Sequence, residues 1–202
     1  MTQHAGTVPR IRPLEPPHAP EVAAELSRWM PRRAQVDPPK LFRTLVKHLP
    51  LAQAMLPMGK HLLSRAFSVG LREREVVIDR VCARCACEYE WGAHARVFGP
   101  AAGLGDDQLR ASAIGAADDP AWTATDALLI RLVDELHDSG HLSDDLWGSL
   151  ARLWSPEQLL DLLVLAGWYH VISFVANGAR VEREEWAPRF PSPAVAEQKT
   201  RP

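Results

Sequence analysis

The sequence predicts an all-α protein, and three observations support this fold class. Apolar residues recur at helical spacing in successive segments separated by proline, glycine and capping residues. Strong helix-start signals precede the later segments, such as Ser155 followed by Pro156 and Gln158. No stretch shows the alternation of apolar and polar residues that is typical of a half-buried strand.

The helical segments are predicted in order from their breakers and caps. Leu51 to Phe67 carries a methionine and leucine stripe that is typical of a core-facing helix. The other predicted segments are Glu21 to Met30, a segment opened by Pro38 and Pro39 with Leu41 to Leu49, the stretch Leu71 to Gly103, Asp106 to Ile114, a helix capped by Thr123, a helix starting at Ser143, and a helix from Ser155 to Gly178.

The chain of 202 residues fits one compact helical domain. We predict a proline-rich, extended or disordered N-terminal arm at 1–20, the domain at 21–186, and a polar, disordered tail at 187–202. The segment 155–178 is apolar nearly all round, as a buried central or interface helix would be. This predicts a homo-oligomer.

Composition excludes several classes of function. The net charge of −2 and the absence of a basic block argue against nucleic acid as a partner. No apolar run is expected to reach the ~20 residues that cross a bilayer, and the polar N-terminus has no signal core. We therefore expect a cytoplasmic protein with no membrane partner, whose three cysteines are free thiols.

The stretch 71–103 holds the candidate chemistry: all three cysteines, Glu75 and His94. On one helix, Cys87 and His94 share a face but stand two turns, or ~10 Å, apart. Glu90, one turn before His94, is the closer partner and is expected to raise the pKa of the imidazole. Cys87 is the candidate functional thiol, with a buried structural thiol as the alternative.

Glu75 reaches this group only if the helix breaks near Ala86. Such a break would place Cys87 at a helix N-terminus, where the dipole favours a thiolate. Alternatively, Glu75 pairs with Arg72 or Arg80 on a solvated face.

Other polar and aromatic residues have competing interpretations. Cys82 and Cys85 lie in an apolar run and are interpreted as core. A zinc site on Cys82, Cys85, Cys87 and His94 is disfavoured, because the spacing offers no second ligand pair; no metal is expected. His137 is interpreted as surface-exposed. A substrate pocket is predicted from four residues, with core packing as the alternative for the aromatic ones: Trp91, Tyr169, His170 and Asn177.

The order Glu75, Cys87, His94, followed by AAGLGDDQL and later by LLVLAGWYHVISFVANGARV, resembles the carboxymuconolactone decarboxylase and alkylhydroperoxidase D family. The resemblance covers roughly residues 42–181. In the peroxidase branch the motif is a glutamate, Cys-x-x-Cys and a histidine, and Glu90 stands here at the second cysteine. The resemblance implies an oligomeric helical fold, but the missing thiol counts against the dithiol peroxidase mechanism.

Three functions follow as hypotheses. The first is a cofactor-free enzyme acting on a small carboxylated or lactone-like molecule, with His94 as acid or base, oriented and charged by Glu90 or Glu75. The second is a thiol peroxidase in which Cys87 attacks a hydroperoxide. The third is a helical ligand-binding or interaction module without catalysis.

Overall fold

The computed structural model describes residues 8–31 and 36–192. Within these residues it contains nine α-helices, a short 3₁₀ helix at Val46–His48 and no β-strand, which confirms the all-α prediction. The helices are α1 (Pro20–Trp29), α2 (Lys40–Leu45), α3 (Leu49–Leu62), α4 (Leu71–Arg84), α5 (Glu88–Val97), α6 (Asp106–Ile114), α7 (Ala124–Ser139), α8 (Asp144–Leu150) and α9 (Pro156–Ala179).

Helix α4 is the centre of the fold and packs against α5, α6, α7 and α9. All residues from Arg74 to Cys82 are buried. Four of those buried residues are of charged types. Helix α9, predicted from its composition to be a buried central or interface helix, packs on α4 along one side. Its outer side exposes four large apolar residues: Leu160, Val164, Val171 and Phe174.

Helix α9 also corrects the expectation that no apolar run reaches bilayer length. Its 24 residues are long and apolar enough to cross a membrane by length and composition alone. On its inner face, the core residues Leu162, Leu165 and Ala166 are buried. A buried helix of a globular fold has the same composition.

Three arginine–aspartate pairs join α4 to α7. Each pair is separated by 54 residues, so the two helices run parallel and in register. Arg80 makes the most buried of these contacts, with Nε and Nη2 2.7 and 2.8 Å from the two carboxylate oxygens of Asp134. Arg72 binds Asp126 in the same bidentate way. The three arginines of these pairs therefore stabilise the packing of α4 on α7, because each has a carboxylate partner.

The N-terminal arm is packed against the domain where the structure describes it. The backbone N–H groups of Arg10 and Ile11 donate to the carbonyl of Ala179, and that of Leu14 donates to the carbonyl of Arg43. The arm is thus extended, as predicted, but residues 8–19 are held by hydrogen bonds to two helices. The rest of the predicted arm, residues 1–7, lies outside the described residues.

The predicted boundary at residue 187 needs a similar correction. Ala187 is buried, the backbone N–H of Phe190 donates to Glu88, and the Phe190 ring packs on Trp91 with centroids 5.2 Å apart. Residues 187–192 therefore belong to the packed domain. The remainder of the predicted tail, 193–202, lies outside the described residues.

Replacement of Arg80 by alanine tests the link between α4 and α7. It leaves Asp134 without its bidentate partner in a largely buried place, so we expect a loss of about 1.5–3 kcal/mol in the free energy of unfolding. Arg84→Ala is the matched control, since Arg84 pairs with the exposed Asp138 and makes only a longer contact of 3.6 Å with Asp134, so its loss should cost below about 1 kcal/mol. Urea unfolding measures both, and equal costs would contradict this account.

Candidate active site

The break between α4 and α5 forms the site. Ala86 has a φ of 50°, in the left-handed region. The N–H of Cys87 donates to the carbonyl of Cys82, and that of Ala86 donates to the carbonyl of Ala83. This is a Schellman helix ending with alanine where glycine is usual. The helix therefore ends where the sequence required, and Cys87 becomes the N-cap of α5.

The break lets α5 pack against α4 and brings together two residues that are 19 apart in sequence. His94 Nδ1 lies 2.7 Å from Glu75 Oε2, and His94 Nε2 lies 3.1 Å from the hydroxyl of Tyr169 on α9. Glu90 Oε1 is 3.5 Å from Nε2. Arg74 Nε donates to the other oxygen of Glu75 at 2.8 Å. The result is a chain of alternating charges on α4 and α5, which the neutral hydroxyl of Tyr169 joins from α9.

The surroundings hold His94 in its charged form. Burial by itself lowers the pKa of the imidazole, but the negative charge and hydrogen bond of Glu75, with smaller contributions from Glu90, raise that pKa to about 10. The ring is therefore an imidazolium at neutral pH. The raised pKa of His94 agrees with the prediction. The prediction that Glu90 is its chief cause is wrong. Glu75 is nearer and fully buried, so its charge acts more strongly.

Asp79 is a site residue that the sequence reasoning missed. It lies one turn after Glu75 on α4, is fully buried, and neither of its carboxyl oxygens has a hydrogen-bond partner within the described residues. Burial raises its pKa well above the usual range, although the nearby His94 charge lowers it. The i, i+4 spacing from Glu75 was the signal that could have found it.

The three thiols surround Ser173 of α9, whose hydroxyl has no partner in the described part of the chain. This hydroxyl is close enough to lower the pKa of each thiol. Burial and the charge of Glu90 nevertheless raise the pKa of Cys87 to about 12. The expectation that the α5 N-terminus produces a thiolate is therefore wrong, because Cys87 is completely buried.

The predicted substrate pocket is not assembled as expected. Of its four residues, Tyr169 contacts His94, whereas the other three form hydrogen bonds elsewhere. Trp91 donates to Ser112, and Asn177 donates to the carbonyl of Cys85. His170 faces His137, which corrects the interpretation of His137 as a surface residue. These contacts come from helices that are distant in sequence, so spacing alone could not reveal them.

Two surface depressions lie away from His94. One, of about 560 Å³, is lined by Asp107, Arg110 and Pro120. The other, of about 440 Å³, is apolar and includes Trp147 and Leu160. His94 itself is 5% exposed, so its chemistry is enclosed within the fold. Its ring stacks on Phe98, with centroids 5.0 Å apart.

Comparison of the sequence with protein-family models finds no match, and comparison with curated proteins finds none either. Solved structures do show similarity. An uncharacterised peroxidase-related protein from Silicibacter sp. TM1040 is 15% identical, with a TM-score of 0.65 over 73% of this chain and 78% of its own. The debrominase Bmp8 is 13% identical, with a TM-score of 0.68 over 87% of this chain and 92% of its own.

These similarities define the class of protein by its architecture. The chain has the alkylhydroperoxidase D-like helical fold, as the sequence resemblance implied. At such low identity the likeness concerns the fold and transfers no activity.

The raised pKa of His94 makes stability depend on pH. A group whose folded-state pKa lies above its unfolded value contributes fully below that unfolded value, near 6.5, and loses its contribution as pH rises towards about 10. Urea unfolding should therefore show a falling free energy between these limits. In His94→Gln this dependence should be weaker, because the variant lacks the imidazole whose pKa is raised on folding. Identical pH profiles for the two proteins would contradict the charged imidazole.

Proposed function

We propose that this protein is an enzyme in which the His94 imidazolium serves as a general acid towards a small carboxylated or lactone-like molecule, without a cofactor. The buried chain Glu75–His94–Tyr169, with contacts of 2.7 and 3.1 Å, is the observation that carries this proposal. Burying an ion pair in a core is expensive and gives little net stability. Its presence at the junction of three helices therefore favours a chemical role.

The protonation state of His94 favours a role as general acid over a role as general base. Because this pKa lies well above neutrality, little of the imidazole is neutral and able to accept a proton at pH 7. Nδ1–H donates to Glu75, which fixes the ring, and Nε2–H is directed at Tyr169 and Glu90. Nε2–H is therefore the proton that a substrate oxygen would receive or share.

A decarboxylation uses this proton as follows. The bond between the substrate carbon and its carboxylate breaks, CO₂ leaves, and the electron pair moves onto an adjacent carbonyl oxygen. The imidazolium stabilises that oxygen as it becomes an enolate. The proton of His94 then adds to the carbon in place of CO₂, and solvent restores the proton on His94. No electrons enter or leave the reaction.

Two unpartnered polar groups of the surrounding core, of which Asp79 is near enough to His94 for their charges to interact, give independent support. Asp79 and the hydroxyl of Ser173 are buried without a hydrogen bond in the described residues. Such groups are rare in native cores and often serve a function. A polar substrate would give them partners. Its entry requires movement of the side chains over Nε2, and Glu90, 13% exposed, is the site residue that reaches nearest to solvent.

A thiol peroxidase is the second candidate, favoured by the gathering of Cys82, Cys85 and Cys87 around Ser173. In that reaction Cys87 thiolate attacks the O–O bond, an alcohol leaves, and the sulfenic acid condenses with a second thiol. An external thiol then reduces the disulfide. One structural neighbour is an uncharacterised peroxidase-related protein, and the other is a debrominase. The raised pKa and burial of Cys87 make this candidate the weaker one.

Substitution of His94 and Cys87 separates the two candidates. With β-keto acids and carboxylated lactones as substrates, His94→Ala should lower turnover by roughly 10²–10⁴-fold, as loss of a positioned acid does. Cys87→Ser should change it only a few-fold, because the hydroxyl keeps the shape of the core. His141→Ala, at the surface, is the control.

The reverse order would overturn the proposal. That result is hydroperoxide consumption, with dithiothreitol as reductant, that Cys87→Ser abolishes and His94→Ala leaves intact. Mass spectrometry after brief peroxide treatment would then locate the oxidised sulfur on Cys87. Absence of turnover with every substrate class would instead support the non-catalytic ligand-binding or interaction module.

We also propose that copies of this protein assemble. The outer side of α9 exposes Leu160 and Phe174, 63% and 65% accessible, with Val164 and Val171. An apolar strip of this kind is typical of an interface between chains. A self-complementary helix face would let two copies cover it symmetrically.

A further inference from the structure

A second cluster of reactive side chains lies where α4, α7 and α9 meet, apart from the Glu75–His94 pair. It consists of Cys85 at the end of α4, His137 on α7 and His170 on α9. Their ligating atoms all lie within 4.8 Å of one another. We propose that these three residues bind a single Zn²⁺ ion, a site independent of the proposed acid chemistry.

The geometry of the two imidazoles suits a shared ion. His137 Nδ1 and His170 Nε2 are 3.0 Å apart. Two nitrogens that bind one zinc tetrahedrally at 2.0–2.1 Å stand roughly 3.3 Å apart. A small rotation of either ring brings both lone pairs onto one ion. Cys85 Sγ, within 4.8 Å of both, would complete a three-residue set with a longer zinc–sulfur bond of about 2.3 Å.

The surroundings already fix two of the ligands. His170 Nδ1 lies 2.8 Å from the carbonyl of Ala166, so it donates its proton there and leaves Nε2 as the free lone pair. Metal-bound histidines commonly have such an outer partner. Asn177 donates to the carbonyl of Cys85 at 2.8 Å, which holds the end of α4 in place.

The chemistry of the donors selects the metal. One thiolate and two imidazoles form a borderline-soft set that zinc binds well, whereas carboxylate-preferring Mg²⁺ and Ca²⁺ do not. Three protein ligands leave the fourth tetrahedral position for water. Because zinc binds the thiolate, binding at neutral pH releases the Cys85 proton.

Access and neighbouring charge permit binding. All three ligands are half-buried, so an ion can enter from solvent. Arg84 is close to His137, but its guanidinium pairs with Asp134 and Asp138. Without metal, the two histidines simply share a hydrogen bond. The experiment must therefore distinguish a hydrogen-bonded pair from an ion site.

Titration of the full-length, metal-free protein with Co²⁺ is the direct test, because cobalt reports its ligands by colour. We expect one equivalent per chain, ligand-field bands of tetrahedral intensity and a thiolate-to-cobalt charge-transfer band. Zn²⁺ should bleach all of these bands. No binding, or binding without the charge-transfer band, would overturn the proposed site.

Variants identify the ligands. Cys85→Ser, His137→Gln and His170→Gln should each weaken zinc binding, measured by chelator competition, by at least the roughly 10- to 100-fold that loss of an outer partner costs. Cys82→Ser and His141→Gln should bind zinc like the unaltered chain. Equal affinity across all five variants would contradict the assignment.

A second measurement avoids any variant that fails to fold. In the unaltered protein, zinc should protect a single thiol from alkylation, and peptide mapping should place it at Cys85. Cys85 is the partly exposed cysteine, whereas Cys82 and Cys87 are buried. Labelling of Cys85 at the same rate with and without zinc would rule the site out.

Discussion

The ion pair between Glu75 and His94 is the constraint on which this structure depends. Both side chains are almost fully removed from water, and neither charge would be tolerated there alone. Arg74 and Glu90 extend the pair so that every charge has a neighbour of opposite sign. Helix α4 is therefore buried through its charged partners as well as through its apolar residues. This explains why the most buried helix is also one of the most charged.

The Schellman ending at Ala86 makes the pair possible. An unbroken helix would set Glu75 roughly 120° around the cylinder from Cys87 and far from His94. Alanine in the left-handed region costs ~1–2 kcal/mol relative to ordinary helix geometry, so surrounding packing must hold the turn. Cys85, next to it, is held by Asn177 of α9. The position of His94 and the position of the cluster at Cys85 thus depend on the same turn at Ala86.

The sequence revealed the fold class, the later helix starts and the need for a break near Ala86, because these depend on local spacing and capping. It left open whether Glu75 pairs with arginines on a solvated face, since buried arginines and carboxylates look like such a face until their partners on other helices are known. Glu90 was favoured over Glu75 for the same reason: adjacency on one helix is visible in sequence, whereas contact between two helices is not. The pairing of His137 with His170 was equally hidden, because 33 residues separate them.

Nuclear magnetic resonance titration of the His94 ring tests the central claim most directly. In the unaltered protein the imidazole should stay protonated through neutral pH and titrate near pH 10. Glu75→Gln should lower that pKa more than Glu90→Gln does, because Glu75 supplies the larger part of the stabilising charge. A ring that titrates near its ordinary value of 6.5, or that responds only to Glu90→Gln, would contradict the account.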